Sequence, residues 1–322
     1  MSTPLSSQGR RWASPLLATF VVLVLVWILA TRWAVVVHGH PAYAVLIGVS
    51  LAAALVGIWR WSRAPYARPP KSLGRRLLRI LGFVGVVLWV AMLAWLRPFT
   101  AGPAALSAMH SDANVRVTES PTRITLTPTG PAKSTGVLFQ PGARVDARAY
   151  AAHLRPIAEA GYPVVIVKQP LGIAFLAAGA LDSAASDYST VHTWVGAGHS
   201  LGGTVAAMEA VDLHNASPDR LAGLVFWASY PAGSLGDLAP AHVLSVSGSR
   251  DGLATPTKIA ASRTDLPTET TYDVIDGGGH AQFGDYGLQP GDGTPTISND
   301  QARAEIGAAT LAFLNALPGS AG

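Results

Sequence analysis

A serine, an aspartate and a histidine stand in an order that nucleophilic catalysis uses. Ser200 lies in Gly198-His199-Ser200-Leu201-Gly202. A serine hydroxyl is a poor nucleophile until a base takes its proton. One solution exposes it on a strained strand-to-helix turn, so crowded that small residues are needed two before and two after it. Gly198 and Gly202 fill those places, with Gly203 beside them. The preceding run (Trp194, Val195, Ala197) reads as a buried strand and Leu201 to His214 as a helix, which is the context this turn requires.

The base is expected late in the chain, after the acid. His280 follows the strand expected at 271–275 and sits in Gly277-Gly278-Gly279-His280, where three glycines let the backbone fold tightly over a sheet end. His192, His214 and His242 read as surface or structural residues, and His199 is expected to point away from the site. Asp251 is the expected acid, in a loop after the strand expected at 243–246; reacting groups of open α/β sheets collect at that edge. Asp273 falls inside a strand, and Asp276 is too near His280 in sequence to bend back onto it. An oxyanion needs two backbone N–H donors. Leu201, after the nucleophile, is one. The other is expected from Pro141-Gly142-Ala143, where Pro141 has no N–H; Ala143 is preferred, with Gly142 second.

Composition narrows the alternatives. The 322-residue chain has no cysteine, which excludes disulfides, thiolate metal sites and a cysteine nucleophile. His38 and His40 form a possible metal pair, but without a third ligand they read as an ordinary loop. Charge is unevenly spread. The first 100 residues hold eleven basic residues and no acidic one, net +11; the rest hold twelve basic and nineteen acidic ones, net −7. The overall basicity is an average over two unlike pieces, and nucleic-acid binding is rejected.

Three uncharged apolar runs, residues 12–31, 41–59 and 80–96, fit the 17–25 residues or so that a membrane-crossing helix needs. Residues 1–100 are therefore expected to form a membrane domain that meets the lipid bilayer. Arg60, Arg63, Arg68, Lys71, Arg75, Arg76 and Arg79 lie between the second and third runs, and Arg10 and Arg11 precede the first; the connection at about 32–40 holds only Arg32. The positive-inside rule puts the N-terminus and the 60–79 loop in the cytoplasm, and everything after residue 100 outside the cytoplasmic membrane.

Residues 101–112 read as a polar linker, and 113–322 as one domain of strands alternating with helices. Edge-type strands are expected at 115–118 and 124–127, and buried ones at 136–139 and 163–167. A helix from Asp146 to Ala160 and a final helix from Gln301 to Leu317 complete the pattern. Alternation of this kind means a mainly parallel sheet covered on both faces. Leu171 to Thr190 reads equally as a wall for an acyl pocket or as a crossover helix.

Four segments carry a resemblance: Phe139-Gln140-Pro141-Gly142, Gly198-His199-Ser200-Leu201-Gly202-Gly203, Trp227-Ala228-Ser229-Tyr230-Pro231-Ala232, and Gly277 to Gly287 with its His280-Ala281-Gln282-Phe283-Gly284 stretch. Over residues 115–318 the chain resembles the dienelactone-hydrolase-like branch of the α/β-hydrolase superfamily, α/β hydrolase family 5. The resemblance implies an α/β-hydrolase fold, a triad of Ser200, Asp251 and His280, esterase-like chemistry and no cofactor. Dienelactone hydrolases proper use a cysteine nucleophile, so their substrate does not carry over. The expectation is a membrane-anchored serine hydrolase acting on a small-molecule or lipid-like ester. Its rivals are an acyltransferase or thioesterase working on envelope lipids, and an idle hydrolase-fold binding module.

Overall fold

The computed structural model describes residues 13–63, 72–236, 238 and 242–318. Trp12 and the basic residues Arg10, Arg11, Arg68 and Lys71 lie outside them. The chain divides into two compact units, residues 1–97 and 98–322.

The first unit holds α1 (Ala13–His38), α2 (Pro41–Arg63) and α3 (Leu73–Trp95). All three are long and apolar enough to cross a membrane, over Leu16–His38, Pro41–Arg63 and Arg76–Trp95. The connection expected at 32–40 shrinks to Gly39 and His40. α1 continues past Arg32 and breaks direction there (φ −137°, ψ 20°), then runs on through six more residues. Most large apolar side chains of these helices face outward, as Leu16, Phe20, Val49, Leu78 and Leu88 do. Trp89 donates its indole N–H to Ser50 at 3.1 Å, which joins α3 to α2.

The second unit is built on one eight-stranded sheet. In chain order its strands are β1 (Val115–Glu119), β2 (Arg123–Pro128), β3 (Thr135–Gln140), β4 (Val164–Val167), β5 (Thr193–His199), β6 (Leu221–Trp227), β7 (His242–Gly248) and β8 (Thr271–Ile275). They lie side by side as β1-β2-β4-β3-β5-β6-β7-β8. β1 and β2 form an antiparallel hairpin, and of these two only β1 is an edge, because β2 pairs with β4. From β4 to β8 every pairing is parallel. The buried strands lack polar alternation because helices cover both of their faces.

α5 (Ala151–Glu159), α8 (Pro256–Ala261) and α9 (Asn299–Ala316) share a core cluster that holds Phe139, Tyr150, Trp227 and Phe283. α7 (Leu201–Ala216) and α6 (Ala180–Asp187) share the other, with Trp194 and Phe226. The expected helix at 146–160 begins as a 3-10 turn, with Asp146 capping by accepting from the Arg148 amide, and stops before Gly161 at φ +98°. Leu171 to Thr190 is no single crossover helix. Two 3-10 turns precede the eight-residue α6.

The compact unit starts at Pro98, so the linker expected at 101–112 is part of the packed structure. Phe99 makes a bridge to Val145, α4 (Pro103–Ser107) follows, and Ala105 is fully buried. The residues after 106 are mostly polar, and the buried Ala105 ahead of them makes the contact.

Candidate active site

Strand order reverses around β3, which lies between β4 and β5. The loops after β3 and β5 therefore diverge and leave a crevice at the carboxyl end of the sheet, the usual ligand position in such folds. The Pro141–Ala143 loop forms one side and Ser200 the other.

Ser200 is held at φ 53°, ψ −127°, between β5 and the first turn of α7. Non-glycine residues rarely adopt such angles, and the surroundings must impose them. Here the imposition is close packing. A Cβ on Gly198 would run into the backbone of Gly202 and Gly203, and one on Gly202 into the carbonyls of Gln140 and Pro141. The Ser200 N–H donates to the Trp227 carbonyl at 3.0 Å, and the Ser200 carbonyl accepts from the Ser229 hydroxyl at 2.5 Å. Arg144, Leu171 and Ala228, at φ 61°, 56° and 45°, likewise follow β3, β4 and β6. Among the described residues, the non-glycine positive-φ backbone thus falls after the carboxyl ends of the central strands.

Asp251 and His280 meet. Asp251 Oδ2 lies 2.8 Å from His280 Nδ1, and their side chains are 0% and 1% exposed. Asp251 Oδ1 accepts the amides of Leu253 and Ala254 at 2.7 and 2.8 Å. The rival Asp276 instead accepts from the Ser249 hydroxyl, and Asp273 stays in β8 opposite Val246. His280 Nε2 is buried without a hydrogen-bond partner among the described residues, so no Ser200–His280 bond is closed in this structure.

Of the expected anion donors, Gly142 is already committed: its N–H donates to the Tyr150 hydroxyl at 2.9 Å. That leaves Ala143 and Leu201. Leu201 opens α7, and the first amides of a helix have no carbonyl partner within it.

His199 does not turn away from the site. It is buried, its ring centre lies 4.6 Å from that of His280, and its Nδ1 is 2.8 Å from the Tyr150 hydroxyl. Burial, with the positive charges that His280 and His153 can carry, holds its imidazole well below the ordinary histidine range. The parity of β5 was the missed signal. Val195 and Ala197 face the cluster of Tyr150 and Phe283, and His199 continues that face.

Asp292 was also missed. Its Oδ1 accepts the amides of Gly252 at 3.1 Å and His280 at 3.0 Å, and its Oδ2 accepts that of Ala281 at 2.8 Å. One carboxylate thus ties the loop of Asp251 to the loop of His280. Behind the Pro141 loop lies a buried polar cluster. Gln140 donates to both oxygens of Glu209 at 3.1 Å, and Gln169 donates to Gln140 and to the Pro141 carbonyl at 2.9 Å. Burial pushes the Glu209 carboxyl up to about 7. Among the described residues no cluster of three or more His, Cys, Asp or Glu is placed to hold a metal ion.

A mainly parallel sheet of this order, with a serine on a positive-φ strand-to-helix turn at its switch point, defines an α/β hydrolase. The chain belongs to the alpha/beta hydrolase family, whose profile matches residues 136–304. Similar solved structures have low identity to the chain. One is a predicted CIB-like hydrolase from Thermoplasma acidophilum (15% identity, TM-score 0.48, covering 62% of this chain and 99% of that one). A thermostable esterase from Pseudomonas putida is another (14%, 0.48, 64% and 84%). A third is a dienelactone hydrolase from Anabaena variabilis (18%, 0.43, 62% and 97%). No curated protein matches the sequence.

Proposed function

We propose that this protein is a membrane-anchored serine hydrolase that cleaves carboxylic esters, of the dienelactone-hydrolase-like kind but with serine as nucleophile. The buried Asp251–His280 pair, with Nε2 left bare beside the Ser200 turn, carries this reading. Ser200 Oγ attacks the ester carbonyl while His280 Nε2 takes its proton. Asp251 holds the ring through Nδ1–H and stabilises the imidazolium. The amides of Leu201 and Ala143 donate to the oxyanion. Collapse of the tetrahedral intermediate breaks the bond to the alkoxide, which takes the proton from His280 and leaves as alcohol. Water then repeats the sequence on the acyl-serine, and His280 returns the proton to Ser200 as the acid departs.

The three apolar helices anchor the domain in the cytoplasmic membrane, with the N-terminus inside and the catalytic unit outside. The substrate is a small-molecule or lipid-like ester reached from that side. Hydrolysis of p-nitrophenyl esters by the full chain in detergent tests the chemistry. Ser200→Ala should lower kcat by about a thousandfold or more with the fold intact; an unchanged rate overturns the reading. A cysteine introduced at Glu269, in an otherwise cysteine-free chain, should react in whole cells with a membrane-impermeant maleimide. Labelling only after lysis would reverse the orientation.

A further inference from the structure

Tyr150 and His199 take no step in the reaction just described, yet their hydrogen bonds favour one arrangement of protons. The Gly142 backbone N–H can only donate, so the Tyr150 oxygen accepts from it at 2.9 Å. The tyrosine proton is then directed to His199 Nδ1, 2.8 Å away. The opposite tautomer would leave the buried tyrosine proton without an acceptor, so the geometry favours a bare Nδ1, with the ring proton of neutral His199 on Nε2. Gly142 fits because it has no Cβ, which would lie 2.7 Å from His199 Nδ1 and 3.1 Å from the Tyr150 oxygen.

Burial and the His280 and His153 imidazoles oppose a charge on His199 more strongly than the His280 backbone favours it. Tyr150 faces it from the 3-10 turn before α5, His153 from α5, His280 and Phe283 from the turn at His280–Phe283, and Tyr286 from the segment after it. The carboxylates that act on this cluster are committed elsewhere, Asp251 to His280 Nδ1 and Asp292 to the amides of Gly252, His280 and Ala281. A protonated His199 would stand 4.6 Å, ring centre to ring centre, from the imidazole that must become a cation when Ser200 loses its proton. Like charges at that distance make the second protonation unfavourable.

We propose that Tyr150 is a positioning residue: by donating to Nδ1 it adds to the burial that keeps His199 neutral, so that His280 can accept the serine proton without a second cation against its face. The proposal rests on the serine-hydrolase reading above. It also assigns one hydroxyl two tasks, since the same oxygen holds the Gly142 amide and hence the loop that carries Ala143.

The test is kcat/KM for p-nitrophenyl butyrate against pH, with the full chain in detergent. Tyr150→Phe frees Nδ1 to take a proton. Its activity relative to wild type should fall about tenfold further in mild acid than at alkaline pH. His199→Asn keeps an acceptor for the tyrosine and cannot be charged, so it should keep the wild-type acid limb. The double variant, lacking any titratable group at 199, should lose the extra acid sensitivity even where its overall rate is low. A Tyr150→Phe loss that is the same at all pH values, or an acid-specific loss that survives in the double variant, overturns the proposal and leaves Tyr150 a packing residue. Absence of turnover in wild type would instead sink the hydrolase reading. If Tyr150→Phe does not fold, nitrogen NMR of the 15N-histidine-labelled wild type decides, with the 199 signals assigned by their loss in His199→Asn. A bare Nδ1 that persists into mild acid supports the proposal; a proton on Nδ1 overturns it.

Discussion

Asp251 presents its two oxygens to different partners: Oδ1 to the amides of Leu253 and Ala254, Oδ2 to His280 Nδ1 at 2.8 Å. The amides fix which oxygen meets the histidine. In Asp251→Asn the carbonyl oxygen would stay with those two N–H donors and the NH2 would face Nδ1. The imidazole would have to accept there, which moves its proton to Nε2 and removes the base. The expected outcome is a kcat lower by about 10³- to 10⁴-fold with the fold retained. A steady-state assay beside a thermal melt checks it, and a loss under tenfold would count against Asp251 as the acid.

Asp292 acts on both loops at once. Its carboxylate binds the amides of Gly252 and His280, so Asp292→Ala should let Asp251 and His280 drift relative to each other. Misplacement by about an ångström costs on the order of a hundredfold. A kcat reduced 10- to 100-fold with KM little changed is expected. If KM rises instead and kcat holds, Asp292 shapes the substrate site rather than the pair.

Glu209 makes stability depend on pH. Its carboxyl is raised from an ordinary 4.5 to about 7 in the folded chain. Between those values the native state binds more proton than the unfolded one, so stability is fully present below about 4.5 and is lost as pH rises through about 7. Glu209→Gln keeps an acceptor for Gln140 and the Ala180 amide and removes the charge. Denaturant melts of the full chain should show the variant close to wild type at pH 5 and more stable at pH 8, by on the order of 2 kcal/mol. Equal stabilities at pH 8 would mean that the buried cluster tolerates the carboxylate.

The segment ahead of β1 contributes to the catalytic unit. Phe99 donates to the Arg144 carbonyl at 2.7 Å and accepts from Asp146 at 3.0 Å. Gly102 and Ala105 donate to the backbone oxygen and carboxylate of Asp285 at 2.6 and 2.8 Å. Four such bonds at about 1 kcal/mol each amount to roughly 4 kcal/mol, or about 10 °C in Tm for a domain of this size. A fragment beginning at Pro98 should therefore melt about 10 °C above one beginning at residue 113. Equal melting temperatures would make residues 98–112 a passive tether.

The features legible in the sequence were those written locally. The glycines around Ser200 report crowding within five residues, and apolar runs report strands and membrane-length helices directly. Asp251 could be chosen because the end of β7 could be located. Long-range partners left no such trace. Asp292 lies 12 residues from His280 and 40 from Gly252, in a stretch of Gly, Pro and Thr that reads as plain coil. The bond between Tyr150 and His199 spans 49 residues, and nothing near Tyr150 marks it as a donor. Ala105 falls in the expected linker and Phe99 at the end of the expected membrane domain, because a short apolar segment shows no period from which burial could be inferred.

The central claim is that Ser200 is an activated nucleophile, and a fluorophosphonate probe tests it most directly. Incubated with the folded full chain and digested for mass spectrometry, the probe should appear as a covalent adduct on the peptide containing Ser200. The adduct should vanish in Ser200→Ala and form far more slowly in His280→Ala. An unlabelled Ser200 in folded protein, or labelling that survives Ser200→Ala, would contradict the account.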